Sequence, residues 1–567
     1  MSTGADRICA ALEALGLDTV FGLPGTQNVP LYEALRTSGL RTILATHELG
    51  AAFMAAGYYR ASGRVAALFT IPGPGFTYAL TGLAEARHDS AALLHITGAP
   101  PPEGGRRFQL QAIDQAAMAA PVVKRRFRID REDETETVLR EAYVAATSGE
   151  PGPVLVEVNP AVLTSPSLNA ATIRPLPEFL SPDAAATILA RLRTARRPLL
   201  FVGQGAVAGA YALRRLAEWL NAPVVTTLSG RGVLPEDHPL AIGIDLGGPG
   251  IAALNDLIAT ADLVLALGCK FSHNGTGGFR LRFPADKLVH VDASPEVLGV
   301  NYPASLLIQA DVPALLEALV TSLPAEAPSA ATWVPSELAA ARTEAALRVR
   351  EGGPEPRIRD TDVATPAELF RAVRAVLPRE AILVTDSGLH QSLARRHYPV
   401  LAPRGLICPS DFQSMGFGIP AAIGAAIGAP RRRVVALVGD GGFAMAGLEL
   451  LTAVRERLPV AVIVFNDGHL GLIREQQLRE YGDSHAVSLD GFDIAAVAAA
   501  AGAQHVRMEG RAEDVLREAL ARDWPVVVEV AVGDSAGQHL AHAKGYVKQA
   551  ARELLGDRLR GWLKRLR

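Results

Sequence analysis

Cysteine is scarce in this chain, and its scarcity argues against two common ways of stabilising a fold. Only Cys9, Cys269 and Cys408 occur among 567 residues, far apart in the sequence and never in a CxxC pair. This usage speaks against a disulfide framework and against a structural zinc site. The first residues, MSTGADR, also lack the apolar core of a secretory signal, and we therefore expect a cytoplasmic protein.

The sequence also lacks an excess of charge of one sign and an apolar run typical of a membrane span. Its 56 basic and 59 acidic residues leave a net charge of −3, which provides no global field for nucleic acid or an anionic membrane. A long uncharged stretch, 412–430, contains Pro420 and several glycines and predicts a buried turn and helix. These absences favour small-molecule chemistry without a nucleic-acid partner.

The residues that mark α/β folds are abundant instead. Hydrophobic residues make up 49% of the chain, with 53 Gly and 38 Pro. Short apolar runs end in Gly/Pro turns and precede helical segments, which is typical of parallel sheets with helices on both faces. The pattern predicts an α/β protein with three doubly wound parallel-sheet domains, separated by linkers rich in Pro, Ala and charge. Their expected ranges are 1–165, 185–325 and 363–545, followed by a C-terminal amphipathic helix over 546–567.

The strongest functional signal lies in the third domain. One apolar run ends at Gly439-Asp440-Gly441-Gly442, and the next ends at Asn466-Asp467-Gly468. Because neighbouring parallel strands end at one edge of a sheet, Asp440 and Asp467 are expected to meet there as hard oxygen ligands for Mg²⁺ or Ca²⁺. The glycine amides at the following helix start would bind a phosphate group. The alternative is a helix cap at Asp440 and an ordinary turn at 466–468.

This motif resembles one in a known family. GDGGFAMAGLELLTAVRERLPVAVIVFND is similar to the GDG-to-NN signature of thiamine-diphosphate enzymes, and SDFQSMGFGIPAAIGAA and VTDSGLHQ extend the similarity upstream. Further segments in the first two domains, FGLPGTQNVPLYEAL, THELGAAFMAAGYYRASG, TIPGPGFTYALTG and VVTTLSGRGVLPEDHPL, extend it over nearly the whole chain. The chain therefore resembles the acetolactate synthase, pyruvate oxidase and benzoylformate decarboxylase superfamily. The resemblance implies pyrimidine-binding, central and diphosphate-binding domains, with thiamine diphosphate bound between subunits of a homodimer or homotetramer.

The resemblance also implies roles for residues at the diphosphate end of the cofactor. Asp440, Asp467 and the backbone carbonyl of His469 match the metal ligands, with Asp467 replacing the usual Asn. His390 is a candidate donor to the diphosphate, and a partly buried turn histidine is the alternative. Met415 matches the side chain that supports the thiazolium, although a methionine taken alone more often fills a core. The other implied cofactor contacts are Ser387, Gly388, Leu389, the backbone carbonyl of Gln413, Gly439, Gly441, Gly442, Gly468, Leu470, Gly471 and Leu472.

Cofactor activation requires an acid in the first domain. Thiazolium C2 must lose a proton, which the ring's own 4′-amino group removes only when the pyrimidine N1′ is protonated. Glu48, at the start of an Ala-rich helix, matches the carboxyl group that protonates N1′, and burial would strengthen this hydrogen bond. Out of context, a Glu in a first helical turn serves the helix dipole. Pro24, Gly25 and Gly73 are implied to allow close backbone approach to the pyrimidine.

Other matches concern the substrate. Gln109 is implied as a catalytic residue that hydrogen-bonds the substrate oxygen, whereas Lys124 is expected to be solvated or structural. Asn274 stands where the synthases have the Arg that receives an acceptor carboxylate, and an amide cannot form the same bidentate ion pair. GCKFSHN and GIDLGGPG depart from the FAD-holding pattern, so we expect a decayed or absent FAD site. The residues expected to line the substrate pocket are Thr26, Gln27, Asn28, Phe108 and Gln476, the last replacing an acceptor-selecting Trp.

Three functions remain open. The leading one is a thiamine-diphosphate-dependent decarboxylase or carboligase acting on a 2-oxoacid or aldehyde. The second is a lyase that cleaves a 2-hydroxy ketone or a 2-hydroxyacyl thioester. The third is a protein that binds the cofactor without turnover, against which Glu48 and the complete diphosphate motif speak.

The basic tail over 546–567 carries an apolar stripe of Leu555, Leu559, Trp562 and Leu566. The favoured use of this helix is to dock against the protein and cover the mouth of the active site. The alternative is peripheral attachment to an anionic membrane surface, for which basic flanks and an apolar stripe are the requirements.

Overall fold

A computed structural model describes residues 2–99, 109–167, 182–242, 250–324, 333–350 and 355–533. Phe108 and the predicted helix over 546–567 lie outside these ranges. The chain forms three sheets in sequence order, each covered by helices, which confirms the predicted α/β class with three parallel-sheet domains. Within the described ranges, none of the helices has both the length and the apolar composition that a membrane crossing requires.

The first sheet is parallel throughout, with strand order β2-β1-β3-β4-β6-β5. Its four inner strands are buried throughout, as parallel strands covered on both faces require, whereas its two edge strands are partly exposed. The strands are β1 Thr19–Gly22, β2 Arg41–Leu44, β3 Ala66–Thr70, β4 Leu93–Gly98, β5 Arg125–Ile129 and β6 Pro153–Val158. The helices are α1 Gly4–Ala14, α2 Val29–Thr37, α3 Glu48–Ser62, α4 Pro74–His88, α5 Gln115–Ala119, α6 Thr135–Thr147 and α7 Pro160–Thr164.

The central sheet is also parallel, in the order β12-β11-β10-β7-β8-β9. Its core is a separate cluster of buried side chains from this segment alone. The strands are β7 Pro198–Val202, β8 Val224–Thr226, β9 Ala241–Ile242, β10 Leu263–Leu267, β11 Leu288–Asp292 and β12 Leu306–Gln309. The helices are α8 Pro182–Thr194, α9 Ala210–Leu220, α10 Gly250–Thr260, α11 Val312–Thr321 and α12 Pro335–Arg350.

The third sheet has the order β13-β19-β17-β16-β14-β15, with β18 also paired to β19 and only β13 antiparallel. Its strands are β13 Arg357–Ile358, β14 Ile382–Thr385, β15 Leu406–Ile407, β16 Val434–Gly439, β17 Ala461–Asn466, β18 Gln504–Arg507 and β19 Val526–Gly533. Its helices are α13 Pro366–Val376, α14 Leu389–His397, α15 Gly418–Gly428, α16 Asp440–Ala446, α17 Leu450–Arg455, α18 Gly471–Tyr481, α19 Ile494–Ala500 and α20 Ala512–Leu520.

The stretch that the sequence predicts as a second linker contains regular structure. Helix α12 and strand β13 both lie between the expected central and third domains. Trp333, just before α12, donates from its indole nitrogen to the carbonyl of Pro198 at 2.7 Å, and Leu338 is buried in the central core. Helix α12 is therefore attached to the central domain, whereas β13 pairs with β19 of the third sheet. The apolar residues of α12 do not form a clear stripe along one helix face, which is why the sequence pattern did not indicate a helix.

Helices α3 and α15 join the first and third domains into one core. Both helices are rich in Ala and Gly and are buried almost throughout, in agreement with the buried helix predicted within 412–430. A β-carbon added at Gly57 would lie 2.1 Å from the carbonyl oxygen of Ala421, and one at Gly424 would lie 1.9 Å from that of Met54. Such close backbone approach requires small residues. The predicted site residues of the first domain and those of the third domain consequently have a fixed relative position within one chain.

Candidate active site

The third sheet brings the two predicted diphosphate segments to one crevice. Strand β14 pairs with β15 on one side and with β16 on the other, so the winding of the sheet reverses between β14 and β16. Ligands of open α/β sheets bind at such a switch point, outside the carboxyl ends of the strands. Residues 386–390 follow β14 and residues 440–442 follow β16. The motif residues therefore flank the expected ligand position.

Asp440 and Asp467 lie at the ends of the adjacent strands β16 and β17. Asp440 is buried, and its carboxylate accepts hydrogen bonds from the amides of Gly441 at 2.8 Å and Gly468 at 2.7 Å. One carboxylate oxygen of Asp467 accepts from the amide of His469 at 3.0 Å. Burial and the charge of Asp467 raise the pKa of Asp440 to about 6. Two acids held together in this way favour a cation between them.

Met415 and Leu470 contact the glycine turn after β16. A β-carbon added at Gly441 would lie 2.6 Å from Cδ2 of Leu470 and 3.4 Å from Cε of Met415, so a larger residue would displace the Leu470 side chain. The amide of Leu470 donates to the carbonyl of Val487 at 2.8 Å, which fixes the turn between β17 and α18. Gly471 and Leu472 then open α18. The structure thus gathers the predicted thiazolium support and the diphosphate turn at one place.

His390 supplies a free nitrogen to the same crevice. The side chain is buried in the first turn of α14, and its Nε2 has no hydrogen-bond partner among the described residues. Burial lowers the pKa of His390 to about 4, so the ring is neutral at physiological pH. A β-carbon at Gly439 would lie 3.2 Å from Nδ1, which places the ring against the end of β16. The preceding turn contains Ser387, Gly388 and the first helical residue, Leu389.

Asp386 belongs to this site but received no role from the sequence. It is buried, and one carboxylate oxygen accepts from the amides of Gly416 at 3.0 Å and Gly418 at 3.2 Å. Burial raises the pKa of Asp386 to about 7. These bonds connect the segment after β14 to loop 408–417, which carries both Gln413 and Met415. The only local sequence signal for Asp386 was an acid at a strand end, directly before Ser387 and Gly388.

Gln413 occupies a backbone position that favours glycine. Its φ of 62° lies in the left-handed region. The side-chain amide donates to the carbonyls of Pro409 and Ser410 at 2.6 and 2.7 Å, and its oxygen accepts from the hydroxyl of Ser387 at 3.2 Å. These local bonds hold a non-glycine residue in the turn.

The first sheet has its own switch point between β1 and β3, where Pro24, Gly25 and Gly73 follow the strands. The side chain of Asn28 is buried, accepts from the amide of Gly25 at 2.7 Å and donates to the carbonyl of Leu23 at 3.1 Å. Asn28 therefore stabilises the loop through hydrogen bonds to its backbone. Of the three residues predicted at the pocket mouth, only Thr26 and Gln27 have accessible side chains.

The turn at Gly73 is fixed by a second buried polar side chain. Gln115 accepts from the amide of Gly73 at 2.9 Å and donates to the carboxylate of Glu157 at 2.9 Å. Burial raises the pKa of Glu157. The sequence did not assign Gln115 to the site.

Glu48 is the first residue of α3 and is half-buried. The third domain holds the start of this helix, because the buried carboxylate of Glu449 accepts from the amides of Thr46 at 3.2 Å and His47 at 3.0 Å. A β-carbon at Gly50 would lie 2.1 Å from this carboxylate. Burial raises the pKa of Glu449. Glu449 lies in the one-turn helix Gly447–Glu449 and was not identified from the sequence.

The central sheet forms a groove of about 270 Å³ at its switch point between β7 and β10, lined by residues of all three domains. Lys270 donates to the carboxylate of Glu150 at 2.6 Å and to the carbonyl of His88 at 2.7 Å, both in the first domain. The side chain of Asn274 donates to the carbonyl of Ser410 at 2.5 Å in the third domain. Two of the residues in the altered GCKFSHN segment therefore connect domains.

The remaining predicted residues lie nearer the surface. Gln109 and Gln476 are exposed, and Gln476 lies on α18. Lys124 donates to the carbonyl of Ser148 at 2.8 Å, and burial lowers its pKa to about 8. Lys124 is therefore a structural residue, in line with its expected role.

Three doubly wound sheets, with paired acids and a glycine turn at the switch point of the third, form an α/β architecture of the kind that binds phosphate-bearing ligands. The chain matches the model "Thiamine pyrophosphate enzyme, N-terminal TPP binding domain" over residues 2–118. It also matches the central-domain model over residues 185–319 and the C-terminal TPP-binding model over 386–530. The chain belongs to the thiamine pyrophosphate enzyme family.

Curated relatives agree with this assignment over nearly the full length. The chain is 32% identical to the acetolactate synthase isozyme 1 large subunit of Escherichia coli, across 94% of both chains. It is 31% identical to a probable acetolactate synthase large subunit of Methanocaldococcus jannaschii, covering 93% of this chain and 92% of the relative. It is 34% identical to a probable 2-ketoarginine decarboxylase of Pseudomonas aeruginosa, across 84% of both chains. The chain is thus similar to both synthases and a decarboxylase.

Proposed function

We propose that this protein uses thiamine diphosphate to decarboxylate or ligate a 2-oxoacid or an aldehyde. The observation that carries the proposal is the crevice of the third sheet, where the Asp440–Asp467 pair, the glycine turn and the unpaired Nε2 of His390 lie together. When bound, the cofactor would supply a thiazolium ring that stabilises the carbanion left by departing CO₂ or aldehyde. The chain's own residues orient the cofactor and exclude water.

The metal in this proposal is Mg²⁺ or Ca²⁺. Asp440 and Asp467 would bind it through their side chains and His469 through its backbone carbonyl. The described residues contain no group of three or more His, Cys, Asp or Glu side chains that could hold a metal ion. The two carboxylates of Asp440 and Asp467 still fit Mg²⁺, which proteins usually bind through one or two carboxylates and the phosphates of a ligand. The metal would neutralise the diphosphate and anchor it at the sheet edge.

Residues of the first domain would act on the pyrimidine and the substrate. Glu48 would hold a proton at N1′, while the backbone at Gly25 and Gly73 would contact the ring. The backbone carbonyl of Gln413 would accept from the 4′-amino group. Gln109 would orient the substrate oxygen, as predicted from the sequence.

We propose that the complete site forms between two copies of the chain, in a homodimer or homotetramer. Large apolar side chains are exposed next to residues 46 and 47, which precede Glu48. Tyr78 is 54% exposed and its ring lies 4.7 Å from that of His47. Leu448 is 54% exposed, and its carbonyl accepts from the hydroxyl of Thr46 at 3.4 Å. Exposed apolar groups around a proposed catalytic acid favour a second subunit as their cover.

The contacts of Asn274 favour decarboxylation or cleavage over condensation with a second 2-oxoacid. Its side-chain amide is already bound to the carbonyl of Ser410. An amide engaged in this way does not offer an acceptor carboxylate the paired donors of an arginine. The lyase acting on a 2-hydroxy ketone or 2-hydroxyacyl thioester is therefore the second candidate.

The first test is binding of thiamine diphosphate, measured by calorimetry with and without Mg²⁺. We expect metal-dependent binding to the wild-type chain and to Asp483→Ala, an exposed control on the same domain, but not to Asp440→Ala. Metal-independent binding of equal strength in all three proteins would refute the assigned site. A panel of 2-oxoacids and acyloins, with CO₂ release and products measured, then separates decarboxylase, carboligase and lyase.

We also propose that the central groove holds no FAD. Lys270 and Asn274 line the groove and are engaged in interdomain hydrogen bonds. The absorbance spectrum of the purified protein is the direct test, since a stoichiometric flavin spectrum would contradict the proposal.

A further inference from the structure

Loop 408–417 has no helix or strand, and its backbone amides are held by buried acids. Asp386 accepts from the amide of Gly416 in this loop and from that of Gly418, the first residue of α15. Two more acids come from the end of α4 in the first domain. Glu85 accepts from the amide of Ser414 at 2.9 Å, and Asp89 accepts from the amide of Ser410 at 3.2 Å and from its hydroxyl. The first domain thus binds the loop through hydrogen bonds on both sides of Gln413.

The charges around Glu85 do not balance if every group is ionised. Glu85 and Asp89 are 0% and 2% exposed, and the facing cation is Arg60. The guanidinium of Arg60 contacts Asp89 at 2.6 Å and also donates to the carbonyl of Cys408. Because an uncompensated buried charge is costly, one of the two acids must keep its proton. Asp89 has the ion pair, so Glu85 is the neutral acid.

The second oxygen of Glu85 supports this assignment. Its Oε1 is buried and makes no hydrogen bond within the described part of the chain. If Glu85 were ionised, this buried oxygen would carry negative charge with no hydrogen-bond donor to stabilise it. Burial, followed by the charge of Asp89, raises the pKa of Glu85 to about 8.

We infer that Glu85 is a positioning residue for the cofactor. Its neutral carboxyl group fixes the amide of Ser414, and the loop then presents the flanking Gln413 carbonyl and Met415 side chain to the bound cofactor. This inference rests on the proposed function. Glu85 does not itself touch the reacting atoms; it acts through the residues on either side of Ser414.

The experiment compares Glu85→Ala, Glu85→Gln and the wild-type chain. Glu236→Gln is the matched control, because Glu236 also joins two domains, accepting from Arg231 and from the amide of Val400, but does not contact the loop. Hydrogen exchange of residues 408–418 is measured in the cofactor-free protein. The Kd for thiamine diphosphate with Mg²⁺ and the unfolding temperature are measured on the same samples.

We expect Glu85→Ala to exchange faster in 408–418 and to bind the cofactor about tenfold or more weakly, the effect of one unpaired buried amide. Glu85→Gln should restore both properties, because its amide oxygen accepts the same bond without charge. A lowered unfolding temperature with unchanged Kd and unchanged local exchange in Glu85→Ala would overturn the inference. Failure of the wild-type chain to bind thiamine diphosphate would instead refute the proposed function, while faster local exchange would still show that Glu85 holds the loop.

Discussion

Replacing Glu85 by Gln is expected to remove part of the pH dependence of folding stability. Burial and the charge of Asp89 raise the pKa of Glu85 from 4.5 to about 8. The folded chain therefore keeps this proton across a pH window in which the unfolded chain has lost it. Stability falls as pH rises through this window, and the loss is complete once pH exceeds the folded pKa. Glutamine does not titrate and resembles the neutral acid in shape.

The size of the effect follows from the two pKa values. At about 1.4 kcal/mol per pH unit, the shift from 4.5 to about 8 gives an upper bound of about 4–5 kcal/mol. Because Glu85 shares its buried surroundings with Asp89 and Arg60, its shift is not an independent contribution, and we use roughly 2 kcal/mol as the working expectation. Scanning calorimetry between about pH 5 and pH 8 measures the difference in melting temperature. The Gln variant should match the wild type near pH 5 and exceed it by roughly 2 °C near pH 8, because the unfolding entropy of a 567-residue chain is large.

The comparison has a built-in control for unrelated titrations. Most other titrating groups are the same in both proteins, so their contributions largely cancel when the two melting curves are subtracted. Glu236→Gln, measured in the same way, shows how much of any difference comes from replacing an acid that joins two domains. A constant difference across the pH range, or a wild-type chain that gains stability over the variant with rising pH, would refute the reasoning.

Three further predictions concern the catalytic groups. Glu48→Gln should bind the cofactor almost normally but slow proton exchange at its C2 by orders of magnitude, because an amide cannot protonate N1′; an unchanged exchange rate in NMR would remove Glu48 from the mechanism. Asp467→Asn should retain metal-dependent cofactor binding, since an amide oxygen still ligates, whereas Asp467→Ala should lose it; calorimetry decides, and equal affinities would contradict metal ligation by this side chain. Glu449→Ala should lower both the unfolding temperature and C2 exchange, because the amides of Thr46 and His47 lose an acceptor worth about 1–3 kcal/mol each. Lower stability with normal C2 exchange would restrict Glu449 to a structural role.

The sequence by itself determined the sheets and the crevice at the switch point of the third sheet, because their signals are local. Buried parallel strands require continuous apolar runs, and the turns that end them require glycine, so β16 and β17 could be located from composition alone. The 27 positions from Asp440 to Asp467 contain helices α16 and α17 and strand β17, and both acids lie at neighbouring strand ends.

Only the tertiary structure decided which acids hold the site together. Glu85 lies in α4 and Glu449 in a single helical turn, where nothing in the neighbouring sequence distinguishes them from solvated surface acids. Their partners are distant in the chain: Ser414 is 329 positions from Glu85, and His47 is 402 positions from Glu449. Burial of a charged group depends on which domain packs over it, and that packing follows from the close contact of α3 with α15. A sequence pattern shows only the spacing of residues along the chain. The roles of Glu85 and Glu449 depend on distant backbone amides that approach them only when the chain folds.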